Sequence, residues 1–267
     1  MGVKIKNNYL NAGAALALLI CGITLAGFFS IPGGYNAMDP DSRFQPPGKS
    51  YFLGTDNFGR NVLYRVMAGA KYTLLTAFLT VAGSAVIGTA LGMFSGFSGG
   101  LLDEAIIRLL DVIASFPGIL LALLFVSLFG NSPGTLVAAL LVLFVPGFTR
   151  IMRNGMLRYK NLDFVLSARV AGISYPRIIF LHIFPNLIPS LLSTSVLGLS
   201  NAILAESTMS YLGLGIQPPV PSWGRMLAES QAYLFNAPWC ALVPGLMIML
   251  TVLTFHYLGE GLKERTL

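Results

Sequence analysis

From residue 72 to residue 97 the chain carries no charge. A helix that long rises about 1.5 Å per residue and crosses a hydrocarbon layer about 30 Å thick. The pattern recurs at 9–29, 112–129, 135–149, 178–205 and 239–258. Six such stretches predict six transmembrane helices and an all-α membrane protein. Only 10% of the 267 residues are charged, against about 25% in soluble domains. Within the second span Gly83, Ser84, Gly88 and Gly92 recur at three- to five-residue intervals. Small residues let helices approach closely in lipid, where the hydrophobic effect does not hold them together. No G-x-x-x-x-G-K-[ST] occurs, so the chain has no P-loop for ATP.

The net charge is +6. Its basic residues gather in short loops, an orientation signal rather than a nucleic-acid surface. The N-terminus, with Lys4 and Lys6, and the C-terminus, with Lys263 and Arg265, are placed inside. That puts 32–71 outside, although it holds Arg43, Lys49, Arg60, Arg65 and Lys71, partly offset by Asp39, Asp41 and Asp56. Within it, 61–70 has the spacing of an interfacial helix feeding the next span, and Thr55-Asp56 reads as a surface helix cap. Residues 98–111 form an inner turn. There Asp103 and Glu104 open a helix and Arg108 pairs with Glu104. Asp103 and Asp111 read as structural partners, or as contacts for the next inner loop. Pro117 falls early in the third span, and Arg150 to Arg153 are expected to snorkel to the headgroups. Trp223 and Trp239 read as interface anchors of the outer region 208–238, which has room for a short helix near 225–233. Cys21 and Cys240 read as small apolar residues, not metal ligands.

The inner loop 150–186 is the most structured stretch between spans. It sets Arg150, Arg153, Arg158, Lys160, Arg169 and Arg177 against one acid, Asp163. Asn161 is expected to cap a helix whose first turn holds Asp163. Leu162, Val165, Leu166 and Val170 share one face at helical spacing. Gly172 is placed to take the left-handed turn that ends this helix, and Ser174-Tyr175-Pro176 opens a second. Pro185 and Pro189 are expected to kink the start of the fifth span. Glu206 closes that span beside Ser207, either lining a substrate path or marking the membrane surface.

Ala168 to Gly172 reads A-x-x-x-G, and His182, Pro185 and Asn186 read H-x-x-P-N. Together they resemble the EAA loop of bacterial ABC importer permeases, with Leu166 where the name-giving Glu would stand. L-G-T-D-x-x-G-R-N at 53–61 and S-Y-L-G-L-G at 210–215 are similar to the dipeptide/oligopeptide/nickel branch. The resemblance implies the type I permease fold. The chain is expected to divide into the N-terminal tail, first transmembrane helix and outer loop at 1–71 and a core permease domain with five transmembrane helices at 72–267. The resemblance implies that Asp163, Ala168, Arg169, Gly172, Arg177 and His182 couple to an ATPase subunit. It also places Glu206, Ser207, Met209 and Ser210 at the translocation path or outer gate, and a binding protein over 213–223. The expected assembly has a second, homologous permease, two ATP-binding subunits and an extracytoplasmic binding protein, in a bacterial or archaeal plasma membrane. The chain itself is expected to be no enzyme and to hold no metal or cofactor. Its expected cargo is a dipeptide or oligopeptide, with nickel or a metal chelate as the alternative.

Two other classes fit less well. A secondary transporter or channel needs ionisable groups in mid-span, and the central parts of these spans have almost none. A membrane enzyme needs a converging nucleophile, carboxylate or metal set. Only His182 and His256 are available, with no H-E-x-x-H or G-x-S-x-G.

Overall fold

The computed structural model describes residues 34–266, and ahead of them 11, 13–18 and 20–24. The expected first span lies partly outside the described residues; those described within it are helical. The helices are α1 (Val62–Ser98), α2 (Gly100–Ser115), α3 (Gly118–Phe129), α4 (Pro133–Tyr159), α5 (Asp163–Val170), α6 (Tyr175–Tyr211), α7 (Trp223–Ser230) and α8 (Trp239–Thr266). Among the described residues α1, α4, α6 and α8 are each long and apolar enough to cross a membrane.

Several expectations need correction. The interfacial helix at 61–70 and the second span are one continuous helix, α1, which runs through position 71. Asn61 caps it, its side chain accepting from the Leu63 N–H at 3.0 Å. The expected third span is broken. α2 and α3 meet at 91° across Phe116-Pro117 and qualify as a span only together. The cause is local, because the proline ring disfavours helical ψ at the preceding residue, and Phe116 is extended at φ −74°, ψ 133°. The fourth span continues past Thr149, as its shortness implied, but its arginines behave differently. α4 runs through Arg150 and Arg153, which are paired rather than snorkelling. Arg150 donates to Asp111 at 2.5 Å, and Arg153 grips Asp103 with two bonds of 2.5 Å.

α1 and α4 pack along their lengths through a glycine seam. A Cβ on Gly88 would lie 2.5 Å from the Phe148 Cβ, and one on Gly92 2.5 Å from the Thr149 carbonyl oxygen. Only glycine permits main chains to come this close. Ser84 adds a hydrogen bond to the Leu141 carbonyl at 3.1 Å, in the turn before Pro146. α8 packs along α6, and α6 against α1. α6 contains one π turn, Ile179–Ile183, whose end is marked by the Phe184 N–H donating to the Ile179 carbonyl. Pro185 follows directly and has no N–H to give.

The largest core joins Val62, Val66 and Ala70 of α1 to Ala202 and Ile203 of α6, Trp223 and Met226 of α7, and Met247 of α8. Trp223 is therefore no interface anchor. It is fully buried, and its indole N–H donates to the Val66 carbonyl at 3.0 Å. Asp56 is likewise not a surface cap. It is buried, paired with Arg60 at 2.6 Å, and accepts from the N–H groups of Phe58 and Arg60. Arg65 lies 3.7 Å from Asp56 and 3.0 Å from Glu229 of α7. Two of the cations that sat awkwardly with an outside placement of 32–71 thus serve as buried ties between the 34–61 loop and α7. Burial pushes the Tyr233 phenol up, so it stays protonated and donates to Asn57 at 3.4 Å.

Candidate coupling site

The elbow begins where α4 leaves its last turn. α5 starts at Asp163, but Asn161 does not cap it. The N-cap is Leu162, with no side-chain bond. Asp163 sits in the first turn, exposed, where its charge suits the positive end of the helix. The helix closes as expected. Gly172 has φ 78°, the Ile173 N–H donates to the Ala168 carbonyl at 3.1 Å, and the Gly172 N–H to the Arg169 carbonyl at 2.9 Å. This crossed pair of bonds needs a left-handed residue at Gly172.

One face of the elbow is pinned to the helix bundle. Val165 and Ala168 are buried with Met152 and Met156 of α4 and Ile178, Ile183 and Leu187 of α6. Phe97, at the end of α1, packs against the same cluster and meets the Tyr175 ring edge-on, 5.3 Å between centroids. The Arg169 guanidinium sits 5.0 Å over the other part of that stack, the Tyr175 ring. Lys160 donates to the Gly96 carbonyl at 2.7 Å. A push on α5 is therefore delivered to α1, α4 and α6 together.

The opposite face is bare. Val170 is 91% exposed, and Leu162, Phe164 and Leu166 are exposed beside it. A shallow depression runs between Asp163, Leu166, Ser167, Val170 and Ala171. Of the expected coupling residues, Asp163, Arg169, Gly172 and Arg177 lie on the exposed side. Ala168 faces inward. His182 is half-buried in the π turn, its Nδ1 without a partner among the described residues. An exposed apolar ridge with charges at both ends is what a protein partner's groove accepts.

Asp103 was expected to be a structural partner or a contact for the loop 150–186, and it is both, although its partners were not named. Asp103 of α2 accepts from Ser95 of α1 as well as from Arg153 of α4. A buried three-helix junction of this kind has no spacing signature, since its members lie 8 and 50 positions from Asp103.

The four residues expected at the path or outer gate are all buried in the chain. Glu206 accepts from Ser210 at 2.7 Å and from Ser207 at 3.4 Å. Ser210 in turn accepts from the Ile216 N–H, and Met209 packs with Leu136, Leu140 and Ile216. The group ties the end of α6 to the loop that follows.

The sequence model described as binding-protein-dependent transport system inner membrane component matches residues 88–266. The dipeptide transport system permease protein DppC of Alkalihalophilus pseudofirmus is 36% identical over 263 residues, 98% of this chain and 86% of that protein. Its counterpart in Haemophilus influenzae is 36% identical, covering 95% and 90%. The glutathione transport system permease protein GsiD of Pectobacterium atrosepticum is 35% identical, covering 95% and 84%. Among solved structures, an inward-facing MetNI methionine ABC transporter chain superposes with a TM-score of 0.64. It is 15% identical and covers 77% of this chain and 97% of that one. At that identity the likeness is one of fold.

Proposed function

The chain belongs to the family of binding-protein-dependent transport system inner membrane components, and from that premise we propose that it is the permease for a dipeptide or short oligopeptide. It is a multi-pass inner-membrane protein with both termini in the cytoplasm. It forms half of the pathway, and a homologous permease forms the other half. Two separate subunits hydrolyse ATP, and an extracytoplasmic binding protein delivers the cargo to the outer loop around 213–223. Peptide cargo is supported by the relatives named for dipeptide transport.

The observation that carries the mechanism is the two-faced elbow. One face is packed into α4 and α6 and the other is exposed and apolar. Closure of the ATPase pair on ATP displaces α5, with Asp163, Arg169 and Arg177 holding the contact and Gly172 fixing its angle. The displacement tilts α1, α4 and α6 and turns the pathway outward. Glu206, Ser207, Met209 and Ser210 keep the outer loop seated on α6, so the outer gate moves with that helix.

The test is ATP-dependent dipeptide uptake by proteoliposomes holding all subunits. Gly172→Pro imposes a φ near −65° where 78° is needed and removes a hydrogen-bonded N–H. Uptake and cargo-stimulated ATP hydrolysis should both disappear while the variant stays in the membrane. Full uptake by Gly172→Pro rules out this role for the elbow.

A further inference from the structure

A cavity of about 960 Å³ opens between α4 and α6, with Lys263 of α8 at one edge. Its wall on α6 carries Asn186, Ser190, Thr194 and Asn201. At 3.6 residues per turn these four fall within about a quarter turn of one another and extend over roughly 22 Å. Asn154 and Arg158 of α4 face the same space. The side chains of Asn154, Arg158, Ser190, Thr194 and Asn201 make no hydrogen bond or ion pair among the described residues, and Asn186 bonds only the His182 carbonyl at 2.6 Å. By contrast, Ile188 and Leu192, on the other side of α6, are exposed and apolar.

A row of unsatisfied amides and hydroxyls at membrane depth is costly against lipid, where each lost partner leaves a bare polar group. Such a row belongs against water or a polar ligand. The charge of the lining is one-sided. It holds two cations, Arg158 and Lys263, and no acid. Lys263 is 3.7 Å from Glu260, whereas Arg158 makes no ion pair among the described residues. Resting on the importer reading above, we propose that this stripe is the cargo-contacting wall of the pathway. The asparagines and hydroxyls exchange hydrogen bonds with peptide amides, and Arg158 draws a free carboxylate toward the inner mouth.

Two measurements on the assembled transporter test this. The first uses Thr194→Cys, Asn201→Cys and Leu192→Cys, each with Cys21→Ser and Cys240→Ser, and a membrane-impermeant cationic thiol reagent. Thr194→Cys and Asn201→Cys should be labelled, and Leu192→Cys should not. Protection of both stripe cysteines, with crosslinking of Thr194→Cys to the sister permease, would mean that a neighbouring helix fills the cavity, and would overturn the proposal. The second compares uptake of alanyl-lysine and alanyl-glutamate. Arg158→Glu should raise the lysine-to-glutamate ratio about tenfold, the size of one charge-assisted hydrogen bond, and Arg158→Lys should preserve it. A structural role for Arg158 would lower both rates and leave the ratio alone, which also overturns the proposal. Failure of the unaltered transporter to take up any peptide on ATP addition would sink the importer reading instead, and the labelling pattern would still report on the wall.

Discussion

Gly172 is the residue on which the elbow turns, and its freedom there is conformational rather than spatial. Nothing lies within 4 Å of the position a Cβ would occupy. Asparagine tolerates the left-handed region, whereas a β-branched residue does not. Gly172→Asn should therefore keep most uptake, while Gly172→Val should lose it, with equal amounts of each in the membrane by immunoblot. Glu206 poses a different question. Its carboxylate is fully buried among hydroxyl groups. Glutamine keeps an acceptor, but leucine strands the donors that faced it. Glu206→Leu should lower stability by about 2 kcal/mol or more, and Glu206→Gln by less. Thermal unfolding in detergent measures both. The turn at Gly172 was legible in the sequence because glycine followed a helical pattern. The burial of Glu206 was not, because a lone acid at a span end reads equally well as a surface marker.

At the scale of elements, the sequence showed where helices run better than where they bend. Uncharged length marked α1, α4, α6 and α8, and Tyr175-Pro176 marked the second arm of the elbow. The corner between α2 and α3 was hidden although Pro117 was in view, because continuous hydropathy from 112 to 129 favoured one straight span. Asn161 was mistaken for a cap because composition cannot tell a turn residue from the residue after it. The glycine seam was read correctly as helix packing, and the structure adds its partner, α4. Gly92→Val would drive a side chain into the Thr149 carbonyl. It should cost about 1–3 kcal/mol, the usual range for overpacking, read as a lower unfolding temperature. Gly147→Ala on α4, with open space around it and a helical backbone, carries no such clash.

For the molecule as a whole, the charges of 32–71 mattered most and were hardest to read. Arg60 and Arg65 looked like violations of the positive-inside rule. Their acids, Asp56 and Glu229, lie partly far along the chain, and no local spacing announces a pair separated by 164 positions. Once buried and paired, these cations no longer behave as free loop charges. Removing one partner leaves the other uncompensated, so Arg65→Ala should cost about 3–5 kcal/mol. Adding Glu229→Ala should recover part of that loss. A double-mutant cycle by thermal unfolding gives the coupling, and strict additivity would mean the two ends of the chain are not tied there.

The seam between α1 and α4 has a mechanical consequence. Two rods whose main chains touch cannot scissor without opening a void, so they swing as a single beam. Spin labels at exposed Leu79 on α1 and Ile151 on α4 should keep one separation, within about 2 Å, in the nucleotide-free and ATP-trapped transporter, since packed cores resist continuous deformation. A pair linking Leu79 to Leu192 on α6 should report the stroke. If the first distance moved as far as the second, the hinge of this machine would lie inside the beam itself.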